Sequence, residues 1–149
     1  MAAIMAQTYP DLYAAVGIHS GLAYGSATDV MSAFATMRGD APRNAQAPRA
    51  RVRTIVFQGS SDGLVHPSNA ERIVAQALPG SRKSAAQQMQ VNGRSCTRTE
   101  IAGADGSPVV EYWLIEGAGH TWSGGHPSGT YTDVSGPNAS TEMVRFFLT

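Results

Sequence analysis

Two short strand-like runs, the first continuously apolar, constrain this chain more than any other feature. Tyr13-Ala14-Ala15-Val16-Gly17-Ile18-His19 and Val52-Arg53-Thr54-Ile55-Val56-Phe57-Gln58 lack the strict alternation of a strand with one wet face. They suit strands covered on both sides, the environment of a parallel sheet between helices. Each runs into a polar, glycine-containing turn: Ser20-Gly21 after the first, Gly59-Ser60-Ser61-Asp62-Gly63 after the second. Between them, Val30, Phe34 and Met37 fall at i, i+4 and i+7, which predicts a helix ended by Gly39. Downstream, Ser68-Asn69-Ala70-Glu71 reads as a capping box. The helix it opens carries Ala70, Ile73, Val74, Ala77 and Leu78 on one face and closes at Pro79-Gly80.

Residues 81–94 are polar and predict irregular structure. Two alternating runs, 97–101 and 109–115, flank Gly103-Ala104-Asp105-Gly106, whose Asp-Gly pair signals a hairpin-like turn. A long polar connection, 123–136, then leads to a last helix starting near Pro137 or Asn138, with Ala139, Met143, Phe146 and Phe147 as its apolar stripe. Strand, helix, strand, helix, strand pair, helix is the order of an open α/β fold, a mostly parallel sheet flanked by helices. No internal repeat is visible.

Composition matters mainly for what it excludes. A chain of 149 residues, 42% hydrophobic and 15% charged, suits one globular domain or part of one. Lys+Arg and Asp+Glu both count 11, so no net charge draws the chain to nucleic acid or an anionic membrane. Arg38, Arg43, Arg49, Arg51 and Arg53 cluster among alanines and prolines, the pattern of a solvated linker. Cys96 has no cysteine partner and sits in an alternating polar run, where it reads as a plain strand residue. Residues 1–6 are apolar but too short for a membrane span and lack the basic start of a signal peptide. Residues 1–8 are apolar nearly all round and stop at Tyr9-Pro10-Asp11. Helices of that kind belong inside larger proteins, so the N-terminal part of a domain is expected to be absent from this chain.

The chemistry gathers at Glu116-Gly117-Ala118-Gly119-His120-Thr121-Trp122-Ser123-Gly124-Gly125, directly after the strongest strand pattern. Small neighbours leave the His120 imidazole uncrowded, as a general base requires; the alternative is a turn whose histidine caps a strand. In open α/β sheets ligands bind beyond the carboxyl ends of the strands, and Asp62 and His120 both follow strands. A carboxylate paired with that histidine would fix its tautomer and stabilise the imidazolium. Alone, Asp62 reads equally as a loop residue satisfying backbone amides. The order acid, then histidine, is the second half of Ser…Asp…His.

No serine fits the remaining role. Gly59-Ser60-Ser61-Asp62-Gly63 matches Gly-x-Ser-x-Gly formally, but it continues through Leu64-Val65-His66-Pro67 instead of entering a helix, and it would use the acid's own loop. Ser20 and Ser123 lack the correct glycine offsets and read as structural. His19, His66, His120 and His126 have no zinc-ligand spacing, and no phosphate-cradling glycine loop is present, so neither a metal nor a cofactor is expected. Asn138-Ala139-Ser140 fits a glycosylation sequon, though a helix start explains Asn138 without it.

Three motifs together resemble the polyhydroxybutyrate (PHB) depolymerase family of esterases: Tyr9-Pro10-Asp11-Leu12-Tyr13-Ala14-Ala15, the stretch from Val56-Phe57-Gln58-Gly59 through Asp62 to Asn69, and Gly117-Ala118-Gly119-His120-Thr121-Trp122-Ser123-Gly124-Gly125. The ending, from Asp133 through Gly136-Pro137-Asn138 to Arg145-Phe146-Phe147, is similar as well. The resemblance implies an α/β-hydrolase fold, with residues 1–149 as the C-terminal portion of a single esterase domain. It implies Asp62 as triad acid, His120 as base and Trp122 as a wall of the substrate pocket. The family's nucleophile lies in a Gly-x-Ser-x-Gly-Gly elbow, expected a few residues before Met1, so the N-terminal half and the elbow are absent and the chain alone is expected to be inactive. Implied substrates are carboxylic esters: a polyhydroxyalkanoate or, as in relatives of the family, feruloyl or acetyl esters of plant polysaccharide. Extracellular or periplasmic action is implied too. The competing expectation is a non-catalytic fragment or interaction module, associating through an exposed sheet edge.

Overall fold

The computed structural model describes residues 1–40, 52–78, 84–103, 106 and 108–149. Arg43, Arg49 and Arg51 of the arginine cluster, the Pro79-Gly80 stop and Asp105 of the Asp-Gly turn lie outside the described residues; Arg53, expected in a solvated linker, is instead a strand residue whose Nη2 donates to Phe146 O at 2.9 Å. Eleven elements follow in order: α1 (Ala2–Thr8), β1 (Ala15–His19), α2 (Val30–Met37), β2 (Arg53–Gly59), α3 (Ser68–Ala77), β3 (Ser84–Val91), β4 (Arg94–Ala102), β5 (Pro108–Ile115), β6 (Trp122–Ser123), β7 (Thr132–Asp133) and α4 (Ala139–Leu148). Five of the strands form one sheet in the order β1-β2-β5-β4-β3, and β6 and β7 pair separately. β1, β2 and β5 run parallel, and β4 alone runs against the rest of that sheet. This is the mixed α/β architecture of a partial α/β-hydrolase fold, its mostly parallel sheet flanked by helices.

β2 lies inside the sheet and β1 along its edge, and the alternate residues of each serve different faces. Ile55 and Phe57, with Trp113 and Ile115 of β5, pack against Ala139, Met143 and Phe146 of α4. Val56 and Ile18 turn the other way, toward Ala70 and Ile73 of α3 and Ala2 and Ala3 of α1. A fully buried aliphatic or aromatic side chain contributes about 1.5–3 kcal/mol, so β2, with Ile55, Val56 and Phe57 all at 0% exposure, is the strand the fold can least spare. Gly17 lets α4 approach: a Cβ there would lie 2.6 Å from the Met143 sulfur. Phe147, expected in the buried stripe of α4, is instead 42% exposed.

Three local expectations are corrected. Residues 84–91, read as irregular, form edge strand β3. Its polar side chains are exposed, while Met89 and Val91 pack on the core from one face. Asn92 and Gly93, at φ +45° and +79°, make the two-residue hairpin turn into β4. The capping box at Ser68 does not form, because Ser68 is already helical. The Ser68 amide donates instead to His66 Nδ1 at 3.2 Å. A reciprocal box does form at α2, where Asp29 accepts from the Ser32 amide at 2.8 Å and Ser32 Oγ accepts from the Asp29 amide at 3.0 Å. Finally, the polar connection after Ser123 contains the short β6–β7 pairing.

One buried carboxylate ties α4 to the sheet. Glu111 of β5 is fully buried and accepts from Arg98 Nη2 at 2.9 Å, from Trp113 Nε1 at 2.6 Å and from Arg145 of α4. Burial alone would push its carboxyl up, but these three donors, Arg145 foremost, hold it below the usual carboxylate range.

Candidate active site

The parallel register of β1, β2 and β5 brings three chain segments to one end of the sheet, with His19 paired to Phe57 and Gly59 paired to Ile115. Asp62 follows β2, His120 follows β5, and His19 ends β1. The first two loops are stitched together. Ser60 N donates to Ile115 O at 2.9 Å, Ser61 N to Ala118 O at 3.0 Å, and Gly117 N to Ser60 Oγ at 2.8 Å. Glycine is needed where the loops touch: a Cβ on Gly59 would lie 2.3 Å from the Ala118 carbonyl oxygen. By contrast, a Cβ on Gly63 or Gly119 would meet nothing within 4 Å, so the outer side of both loops is open.

Within this frame His120 Nδ1 lies 2.9 Å from Asp62 Oδ2. Asp62 has no exposed side-chain surface, while the His120 side chain is 34% exposed. The other carboxylate oxygen, Oδ1, accepts from the amides of Leu64 at 3.0 Å and Val65 at 2.8 Å, and Gln58 Nε2 donates to Oδ2 at 3.2 Å. Burial acts to raise the Asp62 carboxyl. The Val65 amide, the His120 ring, the Ser20 hydroxyl and the Leu64 amide outweigh it and hold the group below the usual carboxylate range. An ionised Asp62 accepts only, so the proton on the neutral His120 ring sits on Nδ1 and the Nε2 lone pair is left to act as a base. Among the described residues no serine hydroxyl is hydrogen-bonded to His120. Ser60 Oγ is held by Gly117 N, Ser123 Oγ donates to Pro137 O at 2.6 Å, and Ser20 Oγ faces His19 Nδ1 at 3.2 Å.

Trp122 stands beside the pair, 38% exposed, with one face stacked on His19 at 5.0 Å between ring centres and its Nε1 donating to Ser140 Oγ at 3.2 Å. Sequence reasoning passed over His19, which it weighed only as a zinc ligand. Its signal was position, since it ends a strand parallel to the two that carry Asp62 and His120. The ring stacks on both Trp122 and Phe57, and its Nε2 accepts from the Ser123 amide at 3.1 Å. Burial, with the neighbouring His120, lowers the His19 pKa to about 4, against a smaller opposing pull from Asp62.

Among the described residues no group of three or more His, Cys, Asp or Glu side chains is placed to hold a metal ion. No helix among them is long and apolar enough to cross a membrane.

Comparison with known proteins adds the chemical class. Residues 1–103 match the family model described as Esterase PHB depolymerase. A curated relative, poly(3-hydroxyalkanoate) depolymerase C of Paucimonas lemoignei, is 28% identical over 134 residues, an alignment covering 80% of this chain and 32% of the relative. The chain thus spans about a third of that relative's length.

Proposed function

The chain belongs to the Esterase PHB depolymerase family, and on that premise we propose that it carries the base and acid of a Ser-His-Asp esterase. The observation that supports this most is the 2.9 Å contact between His120 Nδ1 and a buried, ionised Asp62, with Nε2 left unbonded by any serine of the described residues. In this reading a serine attacks the ester carbonyl while His120 Nε2 takes its proton, then returns it to the leaving alkoxide. Asp62 orients the ring and stabilises the imidazolium. Trp122 walls the substrate pocket. Residues 1–149 are a portion of one hydrolase domain, and the nucleophile comes from outside them.

The substrate class that follows is a carboxylic ester, with a polyhydroxyalkanoate the first to test and feruloyl or acetyl esters of plant polysaccharide the competing arms. Action outside the cytoplasm belongs to the same reading, and fractionation of the producing cells tests it. The deciding experiment compares p-nitrophenyl butyrate hydrolysis by the 149-residue chain and by a form extended upstream through a strand and a Gly-x-Ser-x-Gly turn. Loss of a triad nucleophile costs on the order of a millionfold in turnover, so only the extended form should act, and His120→Ala should silence it. Retention of turnover by the extended His120→Ala protein would sink the reading.

The lack of a serine on His120 also favours a second reading, a non-catalytic module that associates through its sheet edges at β1 and β3. Size-exclusion chromatography separates the two. A chain that recruits a separately expressed partner without gaining esterase activity supports the module.

A further inference from the structure

The loop after β5 does more than present His120. It crosses the end of β2 and lands on the end of β1, where the Ser123 amide meets His19 Nε2 at 3.1 Å and the Trp122 ring covers the His19 ring. We propose that His19 is a positioning residue, whose imidazole pins the far end of this loop to β1 and thereby keeps His120 aimed at Asp62.

The donors and acceptors admit one consistent assignment. A backbone amide can only donate, so His19 Nε2 must be the unprotonated nitrogen and the ring proton must sit on Nδ1, facing Ser20 Oγ at 3.2 Å. The Ser20 hydroxyl is among the groups that hold the Asp62 carboxyl low, so the chain of contacts that starts at Ser123 returns to the carboxylate bound by His120. Ser20 is placed for this by a left-handed backbone (φ +48°) and by its amide, which donates to Phe57 O at 2.9 Å. The ring also stacks on two aromatic neighbours, Phe57 and Trp122, with centre separations of 5.9 and 5.0 Å. Protonating His19 would set two donors, Nε2–H and the Ser123 amide, against each other. The titratable groups facing it are His120, which opposes that proton, and Asp62, which favours it. Burial and His120 prevail and keep the ring neutral down to about pH 4, so the anchor holds through the neutral range.

The geometry of the anchor stands by itself, while its catalytic consequence rests on the esterase reading. Nitrogen-15 NMR of the 149-residue chain at pH 7 should find His19 with its proton on Nδ1; a proton on Nε2 overturns the proposal whatever any variant does. His19→Phe keeps the stack and removes the acceptor, whereas His19→Gln restores an acceptor near the Nε2 position. Loss of one such bond corresponds to about tenfold faster local exchange, so the Ser123 amide should exchange about tenfold faster in His19→Phe and recover in His19→Gln, with the β2 amides unchanged. The downfield Nδ1–H resonance of His120 should weaken and recover in the same order. In the upstream-extended enzyme, His19→Phe should lower kcat about tenfold with KM unchanged, and His19→Gln should rescue it. An unaltered kcat, or equal behaviour of the two variants, overturns the positioning role. Failure of the esterase reading shows separately, as turnover that survives His120→Ala.

Discussion

Asp62 and Glu111 are both carboxylates with no exposed side-chain surface, and both are held below the usual carboxylate range, yet their surroundings are of different kinds. Glu111 is bound by two arginines and an indole N–H, partners that stay protonated at any pH the fold survives. Asp62 is bound by two backbone amides, a glutamine amide, a serine hydroxyl and one imidazole, so the partner equipped to carry a proton on and off is the His120 ring. Burial depth is therefore a poor guide to role. A carboxylate neutralised by permanent cations fastens a helix to a sheet, and one presented to a single titratable ring is equipped for proton transfer.

The sharpest way to break this contrast is to remove one charge at a time. Asp62→Asn should lower turnover of the upstream-extended enzyme by about ten-thousand-fold, the size of effect seen when a triad acid becomes an amide. Its stability should also fall, by about 1–3 kcal/mol, because an amide cannot accept from every donor that the buried carboxylate satisfies. Turnover within tenfold of the parent would place Asp62 with Glu111 as a structural group. Glu111→Gln should do the reverse, costing about 3–5 kcal/mol of stability because Arg98 and Arg145 lose their shared anion. Activity per folded molecule should be unchanged, and equilibrium unfolding with active-site titration reads both.

Acid should separate the two regions next. Both carboxylates have lowered pKa values in the folded state, so their stabilisation is present above ordinary carboxylate values and is lost as pH falls through them. His19, beside Asp62, has a folded value lowered from 6.5 to about 4, so between those limits the unfolded chain binds the proton that the folded chain refuses. Stability should therefore start to fall below about pH 6.5, by as much as ~3 kcal/mol by pH 4. His19→Gln should flatten that limb and leave the carboxylate limb in place. The smallest expected effect concerns the loop contacts. Gly59→Ala should cost about 1–3 kcal/mol by forcing the two loops apart, whereas Gly119→Ala should lie within about 0.5 kcal/mol of the parent.

Much of this arrangement is legible in the sequence. A continuous apolar run marked β1, and the Ile55-Val56-Phe57 centre marked β2, because a strand covered on both faces leaves little room for polar side chains. The glycine-bounded loops pointed to Asp62 and His120, because a residue offered to a substrate needs uncrowded neighbours. What escaped notice depended on partners remote in the chain. β3 is written in polar residues, since an edge strand needs only Met89 and Val91 to hold it down, and its clearest signal was the Asn92-Gly93 turn. The Ser68 cap failed because the helix starts one residue earlier, with Pro67 at its cap, a boundary that spacing does not encode. His19 showed no motif at all: its contacts lie in an amide more than a hundred positions away and in two rings that stack on it.

The β3–β4 hairpin gives the molecule a ruler. Arg94, just past the turn, reaches Asp133 at 2.5 Å and the Glu116 carbonyl at 3.2 Å, and Asn92 Nδ2 reaches the Gly136 carbonyl at 3.0 Å. These grips fall on both ends of the loop that holds His120. One residue added to each strand would carry the tip about 3.4 Å farther, beyond all three contacts. Insertions and deletions in this segment should thus be tolerated only when they leave the distance from β5 to the tip unchanged, making hairpin length, more than hairpin composition, the heritable quantity that guards the site.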